Sequence, residues 1–307
     1  MMENYLKGRT SMAVKIEGLS TETRNEKTKD IDLLSTEQIL SIMNQEDNKV
    51  VEAVKGALPE ISIVVNECIN AYKRGGRIIY IGAGTSGRLG LMDAVEVVPT
   101  YNSDRFIGLI AGGDNAFVKA VEGAEDSKEL AVEDLKKINL CDKDIVIGIA
   151  ASGRTPYVIG GLDYARNVGA KTGSLCCNFN TEISDHSDLP IELSAGPEVV
   201  TGSTRLKAGT CQKIVLNMIS TATMIGVGKV YGNLMVDVKA TNEKLVERCR
   251  RIVMEATGCD HEKADAVLNQ TNNNCKQAIL MILLNIDQKE AEDRLEQADG
   301  YIRKAMQ

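Results

Sequence analysis

Arg77-Ile78-Ile79-Tyr80-Ile81-Gly82 runs straight into Ala83-Gly84-Thr85-Ser86-Gly87-Arg88. A short apolar run that ends in a Gly/Ser/Thr loop reads as a buried strand delivering the chain to a helix start. The pattern recurs outward from there. Strands are expected at Phe106–Ala111, Asp144–Ala150, Lys171–Cys177 and Pro190–Leu193. Helices are expected around Arg88–Ala94, Ser127–Lys137 and Tyr157–Asn167. Strands alternating with helices call for βαβ units and a parallel sheet, an α/β fold. Upstream, Ser35 and Gln38 have capping-box spacing and should open a helix running through Met43. A longer helix should span Lys49–Arg74 and stop at Gly75-Gly76. Downstream, Arg205–Ile225 is a long helix with few charges after Lys213, which suits a subunit interface. From Thr241 the pattern is helical, with Gly258 as a stop, a turn at Asn272-Asn273-Asn274, and helices over 260–270, 273–286 and 287–305. The expected organisation is an N-terminal extension with helices (1–60), a central α/β domain (61–232) and a small helical C-terminal domain (233–307).

Composition narrows the function. The chain has 307 residues, 43% of them hydrophobic and 26% charged, as in ordinary globular proteins. No run approaches a membrane span, and the N-terminus lacks a signal-peptide pattern. A net charge of −7 and an aromatic content of 4% argue against nucleic-acid binding. The eight cysteines contain no C-x-x-C pair and read as free thiols of a reducing, cytoplasmic setting. Only His186 and His261 are present, so a histidine-based metal site is not expected. Ser184-Asp185-His186-Ser187 superficially resembles a catalytic triad. Triad members meet in space rather than as chain neighbours, and the segment reads as a polar loop.

Three loops share one chemistry: Gly82–Arg88, Ala151-Ser152-Gly153-Arg154-Thr155, and Thr201-Gly202-Ser203-Thr204-Arg205. Glycines let backbone N–H groups approach an anion, hydroxyls add donors, and a following helix N-terminus adds a favourable dipole. One such loop could be a plain turn, but three with matching residues point to an anion site. Gly82, Gly84 and Gly87 also match the dinucleotide fingerprint. The acidic residue that should end the second strand is missing at the required spacing, since Asp104 precedes that strand. No Walker motif is present. Among carboxylates, Glu96 lies among valines in Asp93-Ala94-Val95-Glu96-Val97-Val98-Pro99, where apolar surroundings would raise its pKa. A helix-end Glu facing water is the plainer reading. Glu125 lies in Glu122-Gly123-Ala124-Glu125-Asp126-Ser127, which also reads as a charged loop before a helix.

GAGTSGRLGLMDAVE, IAGGDNAFVKAVEGAEDS, GIAASGRTPYVI, GPEVVTGSTRLKAGTCQK and GNLMVDVKATN together resemble the N-acetylmuramic acid 6-phosphate etherases of the sugar isomerase (SIS) superfamily. The resemblance runs from Leu19 to the C-terminus. It implies an SIS-type three-layer sandwich with a five-stranded parallel sheet, acting as a homodimer without metal or organic cofactor. It implies cleavage of the D-lactyl ether of N-acetylmuramic acid 6-phosphate by water in cytoplasmic amino-sugar metabolism. On the family pattern Glu96 is the acid to the leaving lactate, and Glu125 is the more favoured base at carbon 2. Thr85, Ser86, Ser152 and Thr155 fall on phosphate-gripping positions. Gly84, Arg88, Arg154, Ser203, Thr204 and Lys207 complete the expected substrate contacts, with Lys207 favoured for the lactyl carboxylate. The family's D-A-S-E-C-P-P-T reads Asp93-Ala94-Val95-Glu96-Val97-Val98-Pro99-Thr100 here. The signature from Gly196 to Lys213 is shared with glucokinase regulatory proteins. A catalytically silent sugar-phosphate sensor and a phosphosugar isomerase are therefore the competing functions.

Overall fold

A computed structural model describes residues 18–119, 121–240 and 242–307. Helices α1 (Thr36–Gly56) and α2 (Leu58–Lys73) precede a core of alternating elements. These are β1 (Ile78–Gly82), α3 (Gly84–Tyr101), β2 (Phe106–Ile110), α4 (Asn115–Val118), α5 (Lys128–Lys137) and β3 (Ile145–Ala150). They continue with α6 (Pro156–Val168), β4 (Lys171–Cys176), α7 (Glu182–Asp185), β5 (Leu189–Glu192) and α8 (Lys207–Gly226). The five strands form one parallel sheet in the order β2-β1-β3-β4-β5. Every residue of β1 and β3 is buried, because helices cover both faces of the sheet. On one face Val54, Ile61, Val64, Leu216 and Ile219 bring α1, α2 and α8 onto the strands; on the other, Leu135, Tyr157 and Leu162 bring α5 and α6.

Downstream, a hairpin of β6 (Val230–Tyr231) and β7 (Leu234–Met235) leads into α9 (Glu243–Thr257), α10 (His261–Gln270), α11 (Cys275–Leu284), α12 (Gln288–Gln297) and α13 (Ile302–Ala305). These helices enclose their own core around Val253, Leu268, Ile279 and Leu295. His186 follows α7 and sits against Asp163, while His261 is exposed at the start of α10. All eight cysteines are free, and Cys141 and Cys259 are only partly buried.

The α/β reading and the strand order of events hold, with local corrections. The expected helix over 49–74 is two helices. Pro59 has no N–H to give the Lys55 carbonyl, so the ladder breaks and the Ala57 N–H turns back to Val54 and Lys55. The helix at Ser35 opens with the expected capping box but runs on to Gly56. α3 continues past Ala94 to Tyr101, carrying Pro99 in its last turn, where the missing N–H leaves the carbonyl of the exposed Val95 without its ladder partner. The expected final helix is split into α12 and α13 by the left-handed Asp299 and Gly300. The two-residue strands β6 and β7 are too short for any periodicity to reveal.

The N-terminal segment is tied to the far end of the sheet. Ser20 bonds Asn178 and Ser194, Asn25 donates to Glu46 and the Pro197 carbonyl, and Thr28 donates to the Val199 carbonyl. Beneath it lies a buried ion pair: Lys207 Nζ to Glu46 Oε2 at 2.7 Å, with exposures of 1% and 2%. Burial alone would raise the Glu46 pKa. The ammonium groups of Lys207 and Lys49, with the Asn25 amide, overcome that and bring it down to about 2. The pair therefore contributes stability that is complete above pH 4.5 and is lost as pH falls toward 2. Glu46→Gln strands a buried ammonium and should cost about 3–5 kcal/mol in urea unfolding. The same variant should lose part of the acid-induced destabilisation between pH 4.5 and 2; a wild-type acid limb in Glu46→Gln would contradict this role.

Candidate active site

The strand order reverses between β1 and β3, which lie side by side in register from Ile78↔Ile145 to Gly82↔Ile149. Ligands of open α/β sheets bind beyond the carboxyl ends of strands at such a point. The helices that leave these two strands, α3 and α6, begin without any side chain accepting from their first N–H groups. Elsewhere the chain supplies such acceptors: Ser35 for α1, Ser127 for α5, Asn242 for α9, Asp260 for α10, Asn274 for α11 and Asp287 for α12. The remaining long helix without one, α2, follows α1 directly and starts with proline. Two bare helix N-termini, carried on strands about 4.8 Å apart, present unmet N–H groups and positive dipole ends, the chemistry that suits an anion.

The local sequence makes this geometry possible. A Cβ on Gly87 would sit 2.6 Å from the Gly82 carbonyl oxygen, so glycine lets α3 start close against β1. The glycine pattern thus serves helix–strand packing. Gly153 has φ +73° and faces Thr181 at a distance where a Cβ has no room. It turns the second loop so that Ser152, Arg154 and Thr155 are half-buried beside α6. The side chains of Thr85, Ser152, Arg154 and Thr155 make no hydrogen bond among the described residues, which leaves their donors free. Gly84, Arg88 and Glu125 line one cleft of about 230 Å³ together with Ala83, Ala111 and Gly123. Arg88 is anchored there by donating to the carbonyls of Ala116 and Phe117.

Other expected site residues are placed differently. Ser86 is buried, and its hydroxyl donates to Gln212 Oε1 at 2.9 Å rather than into the cleft. The third loop is no second anion cradle: Glu198 already occupies the start of α8, accepting from Lys207 N at 3.0 Å and Ala208 N at 2.9 Å. Ser203 and Thr204 lie half-buried in the turns before it. Lys207 is not a free cation for a substrate carboxylate, because burial and Glu46 hold its ammonium inside the fold. Glu96 is exposed on α3, and its neighbours Val95 and Val98 are 59% and 39% exposed, so the valines do not bury it within one chain. Sequence reasoning missed Gln212, Glu198 and Glu46. Their partners lie 9 to 161 residues away, and none is signalled by spacing.

A parallel five-stranded sheet with paired helix N-termini at its switch point is an SIS-type architecture. The SIS domain family matches residues 125–222, and the glucokinase regulatory protein N-terminal SIS domain family matches residues 60–166. A phosphoheptose isomerase structure from Francisella tularensis is 15% identical with a TM-score of 0.49, covering 62% of this chain and 99% of that one. At the level of whole chains, the N-acetylmuramic acid 6-phosphate etherase of an Exiguobacterium species is 58% identical over 293 residues, 95% of this chain and all of that protein. The N-acetylmuramic acid 6-phosphate etherase 2 of Lactiplantibacillus plantarum is 56% identical over 95% of this chain and 99% of its own length. The chain belongs to the N-acetylmuramic acid 6-phosphate etherase family.

Thr155→Val and Ser152→Ala each remove a free donor beside the α6 N-terminus. Either should weaken binding of inorganic phosphate about 10-fold in calorimetric titration. Unchanged affinity in both would place the anion elsewhere.

Proposed function

We propose that this protein hydrolyses the D-lactyl ether of N-acetylmuramic acid 6-phosphate in the cytoplasm, releasing N-acetylglucosamine 6-phosphate and D-lactate. The observation that carries the reading is full-length membership of the etherase family, supported by a cleft at the start of α3 that is lined by Gly84, Arg88 and a carboxylate, Glu125. The phosphate sits between the N-termini of α3 and α6, contacted by Thr85, Ser152 and Thr155. Fixing that remote group orients the reacting carbons.

Ring opening exposes an aldehyde at carbon 1, which acidifies the proton on carbon 2. Glu125 removes that proton as the carbon–oxygen bond at carbon 3 breaks. Glu96 protonates the departing lactate oxygen. Glu96, now a carboxylate, takes a proton from water as its oxygen adds to carbon 3 of the enal. Glu125 returns a proton to carbon 2. One water is consumed, and both carboxylates end as they began. Among the described residues, no group of three His, Cys, Asp or Glu side chains is arranged to hold a metal ion. Among the described residues, no helix is long and apolar enough to cross a membrane.

The two carboxylates cannot meet on one substrate within one chain. Glu96 lies 12 residues beyond Gly84 along α3, about 18 Å from the anion site. Five bonds of about 1.5 Å separate the phosphorus from carbon 3, and a Glu side chain adds about 5 Å, which together reach about 12 Å. A homodimer resolves this. The outward side of α8 carries Ile214, Met218, Ala222 and Ile225, and α3 exposes Val95 and Val98. Two copies joined on that face cover the apolar residues and bring Glu96 of the partner subunit to the cleft.

Incubation with N-acetylmuramic acid 6-phosphate in deuterated water should release D-lactate and leave deuterium at carbon 2 of the sugar product. Absence of lactate despite tight sugar-phosphate binding would favour a sensor, and ketose formation would favour an isomerase. Glu96→Gln and Glu125→Gln should each be inactive. Co-expressed in equal amounts, they should regain about a quarter of wild-type activity, because half the dimers are mixed and each has one intact site. No recovery from verified mixed dimers would place both carboxylates in one chain.

A further inference from the structure

The Ser86 hydroxyl has one proton, and it is spent on Gln212 Oε1. Ser86 belongs to the first turn of α3, so its hydroxyl stands beside the bare N–H groups of the anion site. Gln212 comes from α8, which runs close here: a Cβ on Gly209, one turn earlier, would lie 3.4 Å from Thr85 Cγ2. Gln212 is 1% exposed, and its Nε2 is buried without a hydrogen-bond partner among the described residues. A primary amide with its oxygen satisfied and both N–H groups unmet is an unusual thing to bury.

The oxygen and nitrogen of a side-chain amide have nearly the same size, so turning the group over disturbs no packing. In the turned arrangement Nε2 donates to Ser86 Oγ, and the Ser86 proton is free for another acceptor. The first arrangement leaves two N–H groups unmet; the second leaves one N–H and one carbonyl. With two unmet functions either way, the protein itself favours neither strongly, and an added acceptor can decide.

We infer that Gln212 is a positioning residue for anion binding: its amide turns over when a phosphate oxygen arrives at the α3 N-terminus, reversing the Ser86–Gln212 hydrogen bond and releasing the Ser86 proton to the phosphate. Ser86 thus joins the phosphate contacts only in the bound state. This rests on the reading of the Gly82–Arg88 loop as a phosphate site.

A double-mutant cycle tests it, with binding of N-acetylglucosamine 6-phosphate measured by calorimetry. In Gln212→Glu the carboxylate only accepts, so it holds the Ser86 proton permanently. Ser86→Ala and Gln212→Glu should each weaken binding about 10-fold or more, and the double variant should be no more than about threefold weaker than Ser86→Ala. Charge repulsion or a packing defect would weaken binding by the same factor with or without the Ser86 hydroxyl, and that result would overturn the inference. Should Gln212→Glu fail to fold, the Ser86 protein carries the test. With selective ¹⁵N-glutamine labelling, the Gln212 side-chain amide resonances should shift on ligand addition in wild type and stay unmoved in Ser86→Ala. No shift in wild type would overturn the inference. Failure of wild type to bind the sugar phosphate would remove the phosphate-site reading, and the inference with it.

Discussion

The first N–H groups of α3 and α6 are left without side-chain acceptors at neighbouring strand ends, and the site is organised around that unmet demand. A helix N-terminus carries about half a unit of positive charge, and two of them following neighbouring strands favour an anion without a lysine. The constraint reaches into the sequence. The chain places caps on six of its other long helices and none on these two. Gly82 and Gly87 let α3 begin close to β1, and Gly153 fits under Thr181 where no side chain could.

Charge is managed in the opposite way around α8. Glu198 satisfies its N-terminus, and Lys207 is neutralised by Glu46 rather than presented to solvent. These buried groups tie three distant parts of the chain together: the N-terminal segment through Asn25, α1 through Glu46, and the turn before α8 through Glu198. A buried pair of this kind adds little over an apolar replacement, but it penalises any arrangement that separates its members. Within the Gly196–Lys213 signature, Glu198 and Lys207 are therefore engaged in holding the fold together. They hold α8 where Gln212 can reach Ser86.

The two carboxylates proposed for the reaction stand apart within one chain. Glu125 shares the cleft with Gly84 and Arg88, whereas Glu96 sits three turns along α3 among exposed valines. In a single chain Val95, Val98 and Ile225 expose apolar area that water disfavours. Where the D-A-S-E-C-P-P-T pattern has serine, cysteine and proline, this chain has Val95, Val97 and Val98, with Val97 turned inward and the other two outward.

The sequence by itself determined the α/β class, the five strands to within a residue or two, and the glycine loops after β1 and β3, because periodicity and turn chemistry are local. It also carried enough motif content to identify the family. It overran at Pro59 and Asp299-Gly300, where a single residue's backbone limits ended a helix that the apolar pattern continued. Only the tertiary structure decided which hydroxyls and cations face the site. Lys207 and Ser86 look like ligand contacts in the chain, yet each finds a buried partner supplied by a remote segment, Glu46 for one and Gln212 for the other. A side chain's direction depends on what packs against it, and contacts more than 100 residues apart leave no trace in local spacing.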